Sequence, residues 1–366
     1  MRGRRDSQNV MFVVADLESV VPEDHPLRKI KSRVDEELRR LSPVFNEAYA
    51  QDGRPSVPPE RLIKATLLQA LYSIRSERQL CEQIGYNMLF RWFLDMRLDE
   101  PVWNHSTFSK NRERLLEHGL MQRFFEGSVA QAISEEATSD DHFSVDGTLI
   151  QACASMKSFR PRGEDDDGDS NRWGGFTGEK RANETHESRT DPEAMLARKA
   201  KGQASMLAHS MHVLMENRHG LILDVRVAQA SGTAEREEAE AMLKSVRKRH
   251  WLRPKTLGAD KGYDDGPFLD RLEHDHGVTP HVAIREGAIK ADDEGGQARR
   301  KARRRQRTIG YQISQIVRRR IEPALGWIKG IAGLARTRFV GRWKTQLYAF
   351  AAGAAYNFLR LAHVIG

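Results

Sequence analysis

The stretch FSVDGTLIQA, residues 143–152, predicts a β-strand that contains an acid. Apolar and polar side chains alternate along it, which places Ser144, Asp146 and Thr148 on its polar face. A glycine follows Asp146 directly. A single aspartate on the polar face of a strand is more often a solvated residue than a catalytic one. The choice between these two interpretations depends on the rest of the chain.

The overall composition is that of a globular protein that suits a polyanionic partner. The chain has 366 residues, and 59 Lys and Arg residues against 51 Asp and Glu residues give a formal net charge of +8. No apolar run reaches the ~20 residues that span a bilayer, and the N-terminal MRGRRDSQNV lacks the apolar region of a signal peptide. We therefore expect a cytoplasmic protein without membrane contact. The two cysteines, Cys81 and Cys153, lack zinc-site or disulfide spacing and are expected to be free thiols.

Basic residues concentrate in RRKARRRQR, residues 299–307, which holds seven bases in nine positions. Such a block neutralises phosphates regardless of base sequence and so favours a nucleic acid partner. The alternative is a solvated loop, and a basic loop can be both. The sequence predicts this basic loop at about residues 290–308.

Residues 1–135 are predicted to form an all-helical N-terminal domain. After the helix-start signal Pro58-Pro59, apolar residues recur at i, i+3 and i+4 spacing. In NHSTFSKNRERLLEHG, residues 104–119, Ser106 or Thr107 can cap a helix whose first turns are basic. That helix suits either DNA docking or an ordinary surface position.

Residues 136–366 are predicted to form a mixed α/β domain, because a sheet covered by helices follows from the order of its elements. A polar insertion at about 155–204, with an acidic run at 164–169, is expected to be an extended, solvated loop. His209 and His212 are expected on opposite faces of one strand, which makes a shared metal improbable. The expected strands are 143–152, one on each side of the hairpin turn 217–220, 255–263 and 279–284, and the expected helices are 233–250, 266–275, 311–330 and 343–362.

Two acids of this domain, Asp146 and Asp260, are candidates for two-metal phosphoryl transfer. Two Mg²⁺ ions about 3.5 to 4 Å apart need several converging carboxylates, and neighbouring strand ends offer them well. Asp146 and Asp260 each occur in a short strand with a glycine one or two residues further on. A glycine there lets other groups approach the chain closely.

A third acid, Glu322, lies in the predicted 311–330 helix. Arg318 and Lys329 lie about one and two turns away on its face, which suits a site for metals and phosphates. The alternative is an i, i+4 salt bridge between Glu322 and Arg318. Pro323 is expected to kink or restart the helix at this point.

The chain resembles the DDE transposases of bacterial insertion sequences, in the IS-four/IS-five superfamily, over most of its length. Family motifs place the first Asp in a VDGT-like strand, the second in an AD-x-GY strand, and the Glu four residues after an Arg and seven before a Lys. These motifs match Asp146, Asp260, Arg318, Glu322 and Lys329. A Tyr that often precedes the Arg by three residues is replaced by Gln315. The matching segments include HFSVDGTLIQACASMKSFRP, NETHESRTDPEA, MENRHGLILDVRVAQASGTAERE, LGADKGYD and RRRIEPALGWIKG.

The resemblance implies an α/β fold in which an RNase H-like catalytic core, a mixed five-stranded sheet flanked by helices, follows the helical N-terminal domain. It also implies two Mg²⁺ ions per site, for which Mn²⁺ can substitute, held by Asp146, Asp260 and Glu322. Water would cleave a phosphodiester, and the freed 3′-OH would attack target DNA. The implied DNA-binding residues are Arg318, Lys329, Arg299, Arg300, Arg303, Arg304 and Arg305.

The implied partners are double-stranded DNA, as terminal inverted repeats of the element and as target DNA, and a second copy of the chain or more in the DNA complex. The protein would join the nucleoid when bound to DNA. Trp327 is expected to pack against the core rather than to stack on DNA. Two other functions stay open at this point: a catalytically inactive DNA-binding regulator derived from a transposase, and an RNase H-like nuclease without strand transfer.

Overall fold

The structure is a computed structural model that describes residues 16–49, 56–163, 181–200, 202–289 and 293–364. The predicted acidic run at 164–169 lies outside the described residues, as does most of the N-terminal 1–16 segment. Of the described helices, none is both long and apolar enough to cross a membrane. Cys81 and Cys153 are free thiols, as predicted.

Helices make up the described chain as far as residue 134, which confirms the helical prediction for this part. They are α1 (Leu17–Val20), α2 (Leu27–Ala48), α3 (Pro59–Leu71), α4 (Glu77–Tyr86), α5 (Met88–Phe93), α6 (His105–Glu117) and α7 (Leu120–Ser134). The predicted cap of α6 was wrong. Its first turn is capped by Asn104, whose side-chain oxygen accepts a hydrogen bond from the Ser106 N–H at 2.9 Å. Asn is among the strongest N-capping residues, and it precedes both predicted candidates.

A mixed sheet follows the helices and contains all five predicted strands. Eight strands are described: β1 (His142–Gln151), β2 (Phe159–Pro161), β3 (His186–Ser188), β4 (Met195–Ala197), β5 (Met206–Glu216), β6 (Leu221–Gln229), β7 (Thr256–Ala259) and β8 (Thr279–Val282). Five of them pair in the order β6-β5-β1-β7-β8, with β5 antiparallel to β1 and β6, and β7 parallel to β1 and β8.

The remaining helices are α8 (Ala234–His250), α9 (Gly266–His274), α10 (Gly296–Arg305), α11 (Ile309–Val317), α12 (Ile321–Gly330) and α13 (Arg342–Val364). An antiparallel three-stranded meander continued by two parallel strands, with crossover helices between them, is the topology of an RNase H-like core. The predicted fold class is therefore confirmed, with β4 added as a short sixth strand on β5.

The polar insertion is not wholly a loop. Its described part holds β2 and β3, which pair with each other, as well as β4. The few apolar residues of the segment supply the reason, because Phe159 and Ala194 form a small buried cluster with Leu207 of β5. Of these strands, β4 pairs with β5, whereas β2 and β3 form a separate two-stranded sheet.

The predicted basic loop was also wrong, because residues 296–305 form helix α10. Arg, Lys and Ala are good helix formers. Two neighbouring acids hold the helix in place: Asp264 pairs with Arg299, and Glu273 pairs with Lys301 and Arg305.

The predicted 311–330 helix is divided in two. Arg318–Arg320 form a 3₁₀ turn between α11 and α12, and Pro323 lies in the first turn of α12. Proline costs little there, because the N–H it lacks has no partner within the helix. The predicted restart is confirmed. Trp327 packs against Tyr356 with ring centroids 5.6 Å apart, which confirms its expected packing role.

One hydrophobic core joins the N-terminal helices to the sheet. Asn357 of α13, fully buried, donates to Ser128 of α7 at 3.1 Å and to the Ile222 carbonyl of β6 at 2.8 Å. The C-terminal helix therefore fixes α7 against the sheet. The domain division at residues 135/136 stays a prediction, although packing is continuous across it.

Candidate active site

Asp146 and Asp260 lie level with each other on neighbouring parallel strands. β1 and β7 pair in the register that sets Ser144 beside Gly258. Each aspartate follows its member of this pair by two residues, so the two stand side by side where β7 ends. Adjacent strands are about 4.8 Å apart. The fold thus brings together two acids that are far apart in sequence.

The two aspartates border an opening in the sheet. β7 ends at Ala259. Among the described strands none continues along this edge of β1, which runs alone from Asp146 until Gln151 meets Arg336. We call this opening, between Asp146 and Gln151 of β1, the sheet-edge notch. A substrate can therefore approach this exposed edge of β1.

Each aspartate is oriented by its own backbone. The Gly147 N–H donates to Oδ1 of Asp146 at 2.8 Å, and the Gly262 N–H donates to Oδ1 of Asp260 at 2.7 Å. One oxygen of each carboxylate is therefore fixed by a local bond. Such preorganisation is what a catalytic or metal-binding acid requires.

Negative charge accumulates at the notch. Burial raises the pKa of Asp146 to about 6. The hydrogen bond from Gly147 opposes this rise, the charges of Asp260 and Glu235 add to it, and Arg318 opposes it. Burial raises the pKa of Glu235 as well, and Asp260 contributes to the rise. The fold leaves this charge incompletely neutralised, and such a site favours a bound cation.

Sequence patterns did not separate Glu235 from its neighbours in the first turns of α8. The structure places its carboxylate against both site glycines. An added Cβ at Gly262 would lie 2.7 Å from Oε2 of Glu235, and one at Gly147 would lie 3.4 Å from Oε1 of Glu235 and 3.0 Å from Nδ1 of His212. The room predicted there is therefore already occupied by protein groups. In the sequence, only the glycine that follows each aspartate indicated that another group approaches the chain here.

His209 and His212 lie on different sides of β5, as predicted. Nε2 of His209 is 3.1 Å from an Asp191 oxygen. The ring of His212 instead lies beside Gly147.

The predicted basic pair reaches the notch from the helices. Nζ of Lys329 donates to Oγ1 of Thr148 on β1 at 2.9 Å. The Cβ of Arg318 lies 3.1 Å from the position that a Cβ would take at Gly258. Nε of Arg318 donates to Oε1 of Gln315 at 3.1 Å. The side-chain amide of Gln315 in turn donates to the His281 carbonyl at 2.7 Å.

Glu322 lies in the first turn of α12, between Arg318 and Lys329 in sequence, and is exposed. The acids that raise the pKa of Asp146 are Asp260 and Glu235, and Glu322 is not among them. Within the described residues Glu322 forms no salt bridge with Arg318. The structure thus brings two of the three predicted acids together and leaves the third exposed on the neighbouring helix.

The predicted DNA-binding arginines of α10 differ in what they contact. Arg299 pairs with the buried Asp264 at 2.8 Å, and Arg305 pairs with Glu273. Arg303 donates to backbone carbonyls of residues 285 and 287, and Arg300 is also engaged. Arg304 is exposed and forms no ion pair with a described residue.

A second basic surface lies among the N-terminal helices. Arg75, Arg78, Arg112 and Arg338 line a cleft of about 380 Å³, together with Glu77. Burial and the charge of Arg338 lower the pKa of Arg112 to about 10. Arg112 pairs with Glu77, and Arg338 donates to the Ile74 and Arg75 carbonyls. The exposed Arg75 and Arg78 are therefore the arginines of the cleft that suit an anion such as phosphate.

The donor atoms at the notch suit a hard divalent cation. Carboxylate oxygens are the ligands that Mg²⁺ and Mn²⁺ prefer, and the high pKa of Asp146 shows that a positive charge there would stabilise its ionised form. In the described part of the chain no three His, Cys, Asp or Glu side chains already converge as a metal site. The residues fit the ion in type and charge.

Comparison with known proteins gives two family matches. Residues 137–358 match a family described as the transposase DDE domain, and residues 15–114 match one described as a transposase domain (DUF772). Curated proteins give no match.

The chain also shows a weak similarity to solved structures of transposases. The piggyBac transposase synaptic complex with hairpin DNA is 12% identical, covers 92% of this chain and 75% of that chain, and has a TM-score of 0.41. The Mos1 transposase paired-end complex with the left transposon end is 10% identical, covers 77% of this chain and 86% of that chain, and has a TM-score of 0.21. The transposase DDE domain match spans more than half of the chain, so the protein belongs to the DDE transposases, enzymes that act on DNA with divalent metal ions.

Proposed function

We propose that this transposase cleaves the ends of an insertion sequence and joins them to target DNA at the sheet-edge notch, with Asp146, Asp260 and Glu322 as ligands of two Mg²⁺ or Mn²⁺ ions. The observation that carries the proposal is the register of β1 and β7, which sets Asp146 beside Asp260. When bound, the ions supply the positive charge that activates a water or a 3′-OH and stabilises the leaving oxygen.

The protein side chains have distinct roles in this proposal. Asp146 and Asp260 are held by backbone N–H groups, so they keep their geometry while a substrate enters. The exposed Glu322 completes the ligand set when α12 and DNA come together. Arg318 and Lys329 flank the notch and contact the phosphates beside the bond that is cleaved.

DNA beyond the site is bound by basic surfaces. Arg304 on α10 and the arginine cleft of the N-terminal helices are the described surfaces that favour phosphate. We infer that they hold terminal inverted repeats and target DNA, and that two or more copies of the chain assemble on the paired ends. The protein acts in the bacterial cytoplasm, at the nucleoid.

The test is a cleavage and joining assay on DNA that carries the terminal repeats flanking the gene. Wild-type protein with Mg²⁺ or Mn²⁺ is expected to nick these ends and to give joined product, and Asp146→Asn is expected to lose at least about a thousandfold in rate. The control is Asp141→Asn, which removes the same charge from an exposed pair with Lys255.

Each other result has a defined meaning. Full activity of Asp146→Asn contradicts the assigned site. DNA binding by the wild type without cleavage indicates a regulator, and nicking without joined product indicates a nuclease.

A further inference from the structure

Glu235 reaches the notch from the opposite side to Arg318 and Lys329. Successive residues of a strand point to opposite faces. Thr148 contacts Lys329 of α12, whereas Gly147 faces Glu235 of α8. The two faces of the sheet therefore each send a helix to the same opening.

The Glu235 carboxylate lies beside the glycines that follow the two aspartates. Its Oε1 lies near the glycine that follows Asp146, and its Oε2 lies near Gly262, which bonds Asp260. An added Cβ at Gly262 would lie 2.7 Å from Oε2 of Glu235 and 2.9 Å from Oδ1 of Asp260. The two carboxylates thus converge on one point of the backbone.

The charge of Arg236 opposes the rise in the pKa of Glu235, but burial and the charge of Asp260 outweigh it. No hydrogen bond or salt bridge with a described residue engages the Glu235 carboxylate. Glu235 lies in the first turn of α8, where the Ala234 N–H donates to Oγ of Ser231 at 3.1 Å. A half-buried acid near two others is costly for the fold unless it serves a ligand.

A buried polar side chain supplies an independent observation. Tyr263 is 1% exposed, and its hydroxyl has no hydrogen-bond partner among the described residues. Glu235, Asp146 and Asp260 all act on it electrostatically. Buried hydroxyls are nearly always bonded. Its presence beside three acids indicates that this corner of the protein is arranged around a polar ligand.

We propose that Glu235 is a fourth carboxylate of the divalent-cation site. It binds the ion held by Asp146 and Asp260, either directly or through a bound water. The inference rests on the proposed function, because it takes the notch to be the metal site. It assigns the first ion to Asp146, Asp260 and Glu235, and it leaves Glu322 to join them later.

Metal binding without DNA tests the inference. Mn²⁺ is titrated into the protein, and free Mn²⁺ is measured by electron paramagnetic resonance. Glu235→Gln is expected to weaken Mn²⁺ affinity by about ten- to a hundredfold, the usual effect of a supporting ligand. The matched control is Glu237→Gln, an exposed acid of the same helical turn, which is expected to bind like the wild type.

The titration separates the two proposals. If Asp146→Asn binds Mn²⁺ as tightly as the wild type, the notch is not the metal site and the proposed function fails. If Asp146→Asn loses the ion while Glu235→Gln keeps wild-type affinity, the proposed function stands and the role of Glu235 is overturned.

Thermal unfolding distinguishes a ligand from a structural residue. Glu235→Gln removes repulsion with Asp260, so its Tm without metal is expected to rise, while the increase of Tm on adding Mn²⁺ is expected to shrink. A lower Tm without metal and an unchanged Mn²⁺ effect would overturn the proposal. Glu235→Asp serves as a second variant if the glutamine protein does not fold, and its shorter side chain is also expected to weaken Mn²⁺ binding.

Discussion

Asp146 at the sheet-edge notch and Asp264 beside helix α10 are both largely buried carboxylates in opposite electrostatic surroundings. Burial alone would raise the pKa of Asp264, but hydrogen bonds from Arg299 and from the Arg285 N–H outweigh burial, so its pKa is lowered. Burial raises the pKa of Asp146 to about 6, and nearby acids add to the rise. One carboxylate is neutralised by the fold, and the other is not.

This difference distinguishes charged residues that stabilise the fold from charged residues that are suited to bind a ligand. Around α10 the acids Asp264 and Glu273 each find basic partners. At the notch the charges of two other acids, Asp260 and Glu235, act on Asp146, and the charge of Arg318 opposes them. The arginine-rich segment, which looks functional in sequence, is thus largely structural at Arg299 and Arg305. Asp146 and Glu235 at the notch have the raised pKa values that are typical of a binding site.

The largest effect on stability is expected at Asp264, the acid that the fold neutralises. Arg299→Ala leaves Asp264 buried without its main partner, and the free energy of unfolding is expected to fall by about 3 kcal/mol. Urea unfolding followed by circular dichroism measures this. The control, Arg304→Ala on the same helix, should change it by less than about 0.5 kcal/mol. An equal effect of the two substitutions would show that Asp264 is not specifically neutralised.

At the notch, removal of a charge is expected to raise the free energy of unfolding rather than to lower it. In EDTA at pH 7, Asp146→Asn should raise the free energy of unfolding by about 1–2 kcal/mol, because an ionised carboxylate with a raised pKa costs stability. The folded pKa of about 6 lies above the ordinary 3.8, so the stabilising contribution of Asp146 is complete below pH 3.8 and is lost as pH rises through about 6. Unfolding curves across this pH range measure the loss, and the variant should lack it.

Unfolding curves across the same pH range also compare the contributions of Asp146 and Asp264 to stability. Its pKa is lowered, so its contribution is present at neutral pH and is lost as pH falls. A pH dependence of the same sign for the two aspartates would contradict the difference between the two regions.

Sequence patterns predicted the sheet and the paired aspartates because both depend on short segments. Alternation of apolar residues located β1, and register then placed Asp146 and Asp260 together. The helical state of residues 296–305 was missed, since it depends on acids from α9 and on Asp264. Glu235 was missed because its distinction from Glu237 arises only when α8 packs over the two site glycines.

Arg318 is the cation that the fold directs toward the unneutralised region, and Gln315 orients it. Gln315→Ala removes the hydrogen bond to Nε of Arg318, and DNA cleavage is expected to slow by about five- to tenfold, the value of one such bond. Rates at saturating DNA measure the effect. Gln315→Glu retains an acceptor for Arg318 and serves as the matched variant. If Gln315→Ala slows cleavage only as much as it weakens DNA binding, Gln315 does not act through Arg318.

The smallest effect is expected at Arg304, where the basic helix retains an exposed charge that forms no ion pair with a described residue. Arg304→Ala should weaken DNA binding severalfold at low salt and reduce the slope of log K against log salt by about 1, because one phosphate contact is lost. Fluorescence anisotropy at several salt concentrations measures both. Arg303→Ala is the comparison, since Arg303 donates to backbone carbonyls and its loss should lower stability more than the salt slope. Equal salt slopes for wild type and Arg304→Ala would mean that α10 serves the fold alone, and DNA binding would then fall to the arginine cleft of the N-terminal helices.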